Sequence, residues 1–159
     1  MKFSHYANNE EPAFDVFTKC HEIVFKDSDG NTEYLDRLSE EAKLVYLIWC
    51  FDGEIHNGGF DQLFFNSLGN HCEEILKYLK LINANKSIEL LQKSIKWFPN
   101  NLPPSNRAKR QILVLALEDN EEYQDEMEEL DSIFYEYEDN LAELLNKYVK
   151  SNSQANINV

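Results

Sequence analysis

The stretch "EIHNGGFDQLFFNS", residues 54–67, decides how the rest of the chain is read. Adjacent glycines at 58 and 59 follow an Asn and precede a dense aromatic run. A phosphate-cradling loop, a hairpin turn and a break between two helices can all carry this pattern. A phosphate loop or dinucleotide fingerprint needs a strand before the glycines and a set Gly and Lys spacing after them. Here the next glycine is Gly69, and "FDQLFFNSLGN" contains no Lys. A type I′ hairpin needs alternating strands on both sides, whereas both flanks have helical spacing. The remaining reading is a helix break. Asn57 or Gly58 takes the left-handed position that ends one helix, and Gly59 lets the next start close against it. Phe60, Phe64 and Phe65 then face the core, and Gln62 and Asn66 are placed to hydrogen-bond nearby backbone.

Outward from the break, helical signals continue. "LSEEAKLVYLIWCFDGEIHN" has Ser39 as N-cap and Glu40 and Glu41 in its first turn, where carboxylates complement the helix dipole. "PAFDVFTKCHEIVF" (12–25) has apolar residues at helical spacing and Pro12 in a first turn. "KDSDGN" (26–31) reads as a turn, because its Gly comes too early for an EF-hand loop and the twelfth position would be Leu38. Helices are expected over "HCEEILKYLKLI", "NKSIELLQKSIKWF" up to Pro99, and "RAKRQILVLALED". "YQDEMEELDSIFYEYEDNLAELLNKYVK" closes the chain as one long acidic C-terminal helix, or two. With five Gly and four Pro the punctuation is poor for a β fold. The expectation is a single compact all-α domain over 12–149, between a polar arm (1–11) and a polar tail (150–159).

The chain has 159 residues and 43% hydrophobic content, enough for one real core. Its formal net charge of −14 repels nucleic acid and anionic membranes and favours basic partners. No apolar run approaches the roughly 20 residues of a membrane span, and the N-terminus has no secretory h-region. Cys20, Cys50 and Cys72 are odd in number and widely spaced, which fits reduced buried thiols in a cytoplasmic protein.

Charge is polarised along the sequence. Residues 118–143 hold thirteen acids and no Lys or Arg, whereas 77–110 hold eight bases and one acid, Glu89. Within "EEYQDEMEELD", helical geometry puts Glu122, Asp125, Glu126 and Glu129 on one face, with Glu121, Glu128 and Asp131 flanking it. Neighbours at i, i+3 and i+4 lie about 5–6 Å apart, and DNA phosphates recur about every 3.4 Å along a strand. Long acidic side chains in such a row can imitate a phosphate backbone toward a Lys- and Arg-rich surface. A solvated helix face is the plainer alternative, and the basic segment 77–110 could pack beside the acids and neutralise part of them.

Other chemistry has little support. Asp52 and His56 share a helix face, with His71 and Cys72 shortly after, but HExxH is absent and no His lies among the acids of 118–143, so no metal or cofactor is expected. Cys20 and His21 point apart on a helix, which disfavours a nucleophile–base pair. Met127, Leu130, Phe134, Tyr137, Leu141, Leu144 and Tyr148 form a heptad-like apolar stripe, suited to packing within the fold or to a dimer seam.

The pattern Glu54, Asn57, Gly58, Gly59, Phe60, Gln62, Phe64 or Phe65, Asn66 and Gly69 resembles the signature of a bacterial family of small domains of unknown function, whose characterised member is a neisserial DNA mimic. "LDSIFYEYEDNLAELLNKYV" is similar to that family's closing helix, and the likeness covers roughly residues 38 to 149. The resemblance implies an all-α fold, a homodimer and no catalysis. It implies an acidic protein that occupies the basic DNA-binding face of a transcription regulator. The motif marks the fold and does not itself contain the mimic's contacts. Two alternatives stand beside this reading. One is an immunity protein or antitoxin neutralising a basic nuclease toxin. The other is a small enzyme or ligand-binding domain using a cleft near Asp52, Glu54 and His56.

Overall fold

The computed structural model describes residues 1–6, 10–25 and 32–155. The turn expected at 26–31 lies outside the described residues. Among them are seven α-helices and no strand: α1 (Pro12–Phe25), α2 (Glu40–Phe65), α3 (Cys72–Leu81), α4 (Asn85–Ser94), α5 (Arg107–Leu117), α6 (Glu121–Tyr135) and α7 (Leu141–Ala155). Short 3₁₀ turns link several of them. The fold is all-α. The chain divides into two compact units, residues 1–49 with 140–159 and residues 50–139.

In the first unit, Ser39 caps α2 as expected, its Oγ accepting from Ala42 N–H at 3.2 Å. α1 and α7 pack together, and Asn146 Oδ1 accepts from Ala13 N–H at 2.9 Å. α1 buries Ala13, Val16, Cys20 and Val24, and α7 buries Leu141, Leu145, Val149 and Ser153, one residue per turn. The ends are less polar in role than in composition. Phe3 and Tyr6 are buried, and the Ser153 hydroxyl donates to Phe3 O. Residues 150–155, read from sequence as tail, continue α7.

The second unit contains the glycine break. α2 is interrupted at Gly58 (φ −160°, ψ 19°) and Gly59 (φ 74°, ψ −172°). The left-handed residue is therefore Gly59, not Asn57 or Gly58, in a region essentially confined to glycine. Beyond it, Phe60, Leu63 and Phe64 are fully buried, while Phe65 is 41% exposed. Phe65 was expected in the core, but the residue after Phe64 is turned about 100° further round the helix and leaves the buried side.

The long acidic C-terminal helix is not what the structure contains. The chain breaks at 136–140 into α6 and α7; the acids from Glu121 to Asp131 belong to α6, and α7 holds only Glu143. Tyr137 takes a left-handed φ of 56° at the end of α6, and its N–H bonds to Phe134 O at 2.9 Å. Asn140 then caps α7, its Oδ1 accepting from Glu143 N–H at 3.0 Å. The break rephases the apolar stripe. Tyr123, Met127, Leu130 and Phe134 are the buried set of α6, while in α7 Leu141, Leu145 and Val149 are buried and Leu144 and Tyr148 only half-buried.

Candidate functional site

All of the geometry here lies within residues 50–139. The motif residues meet one another. Gln62 Nε2 donates to Glu54 Oε2 at 2.6 Å, and Asn66 Nδ2 donates to the same oxygen at 3.2 Å. Asn57 Nδ2 reaches Gln62 Oε1 at 3.3 Å. Gln62 and Asn66 thus bond the Glu54 carboxylate rather than the expected backbone. One acceptor before the break clamps two donors after it, which fixes the angle between the two segments of α2. The convergent polar groups that a ligand cleft would need are paired with each other.

The six-residue segment after the break, 60–65, is capped at both ends by charge. At its start Asp131 Oδ1 accepts from Phe60 N–H at 2.9 Å, an anion at a helix N-terminus. A Cβ on Gly59 would lie 2.0 Å from Asp131 Oδ2, so only glycine admits this carboxylate. Burial is the main reason its carboxyl is pushed up to about 6, with the Phe60 N–H opposing the rise and Asp61 and Glu128 adding to it. At the segment's end stands Arg110, fully buried. Its guanidinium donates to Phe64 O at 2.6 Å, Asn66 O at 2.7 Å, Pro104 O at 2.6 Å and Asn70 Oδ1 at 2.9 Å. Burial lowers its pKa, yet a guanidinium stays charged at neutral pH. A Cβ on Gly69 would lie 2.6 Å from Arg110 Nε, which explains why the motif ends in glycine. Arg107 and Gln111 cap Phe65 O at 3.2 and 2.9 Å.

Asp52 and His56 do come together. His56 Nδ1 lies 3.0 Å from Asp52 Oδ1, and Tyr137 donates to Asp52 Oδ2 at 2.7 Å. Burial raises the Asp52 carboxyl, opposed by the Tyr137 bond and by His56. The His56 ring packs against Phe134, Tyr135 and Tyr137 with centroids 5.2, 5.7 and 5.1 Å away. A cavity of about 230 Å3 lies elsewhere, lined by Asn70, Cys72, Glu73 and Pro103 among others. Burial pushes the Cys72 thiol up to about 12, which keeps it protonated and a poor nucleophile. Among the described residues no group of three or more His, Cys, Asp or Glu is placed to hold a metal, and no helix is long and apolar enough to cross a membrane.

The acids of 118–139 divide in two. Glu126, Asp131 and Asp139 are engaged internally. Glu126 accepts from Trp97 Nε1 at 2.7 Å and lies 3.5 Å from Lys96 Nζ. Asp139 caps α4 through Ser87 N–H at 2.7 Å. Glu118, Asp119, Glu121, Glu122, Asp125, Glu128, Glu129, Glu136 and Glu138 are exposed. Of the seven acids singled out from the sequence, Glu121, Glu122, Asp125, Glu128 and Glu129 form the open surface of α6. Part of the basic segment lies beside the acids: α4 packs on α6, and Lys96 reaches Glu126.

A second exposed surface went unread in the sequence. α5 buries only Arg110 and Val114, leaving Ile112 68% and Leu115 55% exposed. Its signal was the narrowness of the buried side in "RAKRQILVLAL", where apolar residues outnumber the positions a helix of that length can cover.

Comparison with known proteins gives one finding: a family model described as DMP19-like protein matches residues 36–152. No curated protein and no solved structure gave a match to the chain.

Proposed function

The chain belongs to the DMP19-like protein family, and from that premise we propose that it is a non-catalytic acidic protein that occupies the basic DNA-binding face of another protein. The observation that carries this is the outer face of α6. Glu121, Glu122, Asp125, Glu128 and Glu129 are exposed on 15 residues of helix that contain no Lys or Arg. Glu121 and Glu122 complement the helix dipole in the first turn, but like charges at this spacing cost a helix a few tenths of a kcal/mol each, so the place of Asp125, Glu128 and Glu129 is not explained by the helix's own stability. A partner evolved to bind phosphates meets carboxylates on a rigid helix, and the same salt-sensitive attraction steers the encounter. Cys20, Cys50 and Cys72 form no disulfide, which suits a reducing cytoplasm.

The test is capture of partners at low salt, elution by a salt gradient, and identification of what elutes. Binding of the captured protein is then compared between the native chain and a variant carrying E121Q, E122Q, D125N, E128Q and E129Q. Loss of binding in the variant supports the reading, and undiminished binding refutes it. A nuclease among the captured proteins would assign the same chemistry to immunity.

We also propose that α5 forms the homodimer seam, in place of the stripe at 127–148, whose main residues are buried. Ala108, Ile112 and Leu115 share a helix face, with Lys109 near one end and Glu118 at the other. Antiparallel pairing of two copies sets Ile112 of each against Leu115 of the other, the reciprocal contact that a two-fold interface requires.

A further inference from the structure

Tyr135 ends α6 with 47% of its surface exposed. Its position is nevertheless fixed. The hydroxyl donates to Ile55 O at 3.0 Å, and the ring leans on His56 with centroids 5.7 Å apart. Exposed carboxylates are its neighbours along the chain: Glu128 two turns earlier on the same side of the helix, Glu136 and Glu138 just after. A fixed aromatic ring attracts a cation through its quadrupole. Arginine exploits this better than lysine, because its planar, weakly hydrated guanidinium stacks on the ring while its N–H fork reaches carboxylates. Exposed tyrosines held in one conformation lose little entropy on binding and are frequent energetic anchors.

We propose that Tyr135 is the stacking platform for an arginine side chain of the partner, with Glu128 and Glu136 as its counter-charges. The inference rests on the acidic-face reading and adds a chemical preference to it: the surface selects arginine over lysine.

The experiment titrates N-acetylated, amidated octamers of arginine and of lysine into the full chain at two salt concentrations. The native protein binds the arginine octamer about two- to fivefold more tightly than the lysine octamer. Tyr135→Leu, which keeps an apolar side chain but no ring, removes that preference and leaves lysine-octamer affinity and its salt dependence unchanged. Tyr135→Phe keeps the preference. Equal affinities for the two octamers in the native protein, or a preference that survives Tyr135→Leu, would overturn the proposal. If both octamers lose affinity on neutralising the five α6 acids while Tyr135→Leu changes nothing, the Tyr135 proposal alone fails. If neutralising those acids has no effect, the acidic-face reading fails and this proposal with it.

Discussion

The carboxylate of Asp131, on α6, accepts a hydrogen bond from the backbone N–H of Phe60 at 2.9 Å. It enters through the space left by Gly59, where any Cβ would collide with it. This contact ties the acidic helix to the glycine break and turns one member of the acidic run into a part of the framework.

Its first consequence is a pH dependence. The Asp131 carboxyl is pushed up to about 6, above the unfolded value of about 3.9. A raised carboxyl pKa means the native state holds the proton more tightly than the unfolded chain. This group's contribution is therefore full below pH ~4 and is lost as pH rises through about 6. Asp131→Asn keeps an acceptor for Phe60 N–H and cannot ionise. The melting temperature of the variant minus that of the native protein should rise between pH 4.5 and 7.5. A difference that stays constant would show that Asp131 does not titrate abnormally.

The two glycines should differ in tolerance. Gly59→Ala meets both a φ of +74° and the Asp131 carboxylate, and should cost about 2–4 kcal/mol in urea unfolding. Gly58 has an extended φ, and an added Cβ would meet chiefly the Gln62 side chain. Gly58→Ala should cost less than half as much. Equal costs would contradict the assignment of the break to Gly59.

Arg110 should be among the most sensitive positions. Arg110→Met keeps most of the side-chain volume and leaves the carbonyls of Phe64, Asn66 and Pro104 without their donor. Charged hydrogen bonds contribute about 1.5–3 kcal/mol each and are not additive, so a loss of about 3 kcal/mol or more is expected in denaturant unfolding. Arg110→Lys supplies one ammonium in place of the fork and should recover only part of it. A loss under about 1 kcal/mol for Arg110→Met would contradict its role as the cap of 60–65.

The helices were largely legible in the sequence because their signals are local. Pro12 opens α1, Ser39 caps α2, and apolar spacing marks α3, α4 and α5. The break at 136–140 was harder, because neither Gly nor Pro stands there and Tyr137 takes the left-handed position instead. Its one local signal is Asn140 with Glu143 three residues on, an N-cap pattern inside what otherwise reads as continuous helix. The buried role of Arg110 leaves no trace in "RAKRQ", since two of the carbonyls it serves, those of Asn66 and Phe64, lie 44 and 46 residues away. The same holds for Glu126 and Asp131. Sequence shows that a run is acidic, but which acids are used internally depends on Trp97 and Phe60, brought in from distant positions.

The α5 seam predicts a concentration-dependent oligomer. Ile112, 68% exposed, can be replaced by Glu with little effect on the fold of one chain. Sedimentation of the native protein should show a dimer, and Ile112→Glu a monomer with unchanged helical content. A native monomer, or a dimer indifferent to Ile112→Glu, would contradict the seam.

The central claim, that the α6 carboxylates stand in for DNA phosphates, is tested most directly by competition. A captured DNA-binding partner is loaded with labelled duplex, and this protein is added at constant salt. The native chain should displace the duplex, and a variant with Glu121, Glu122, Asp125, Glu128 and Glu129 neutralised should not. Displacement that survives neutralisation, or simultaneous binding of duplex and protein to the partner, would contradict it.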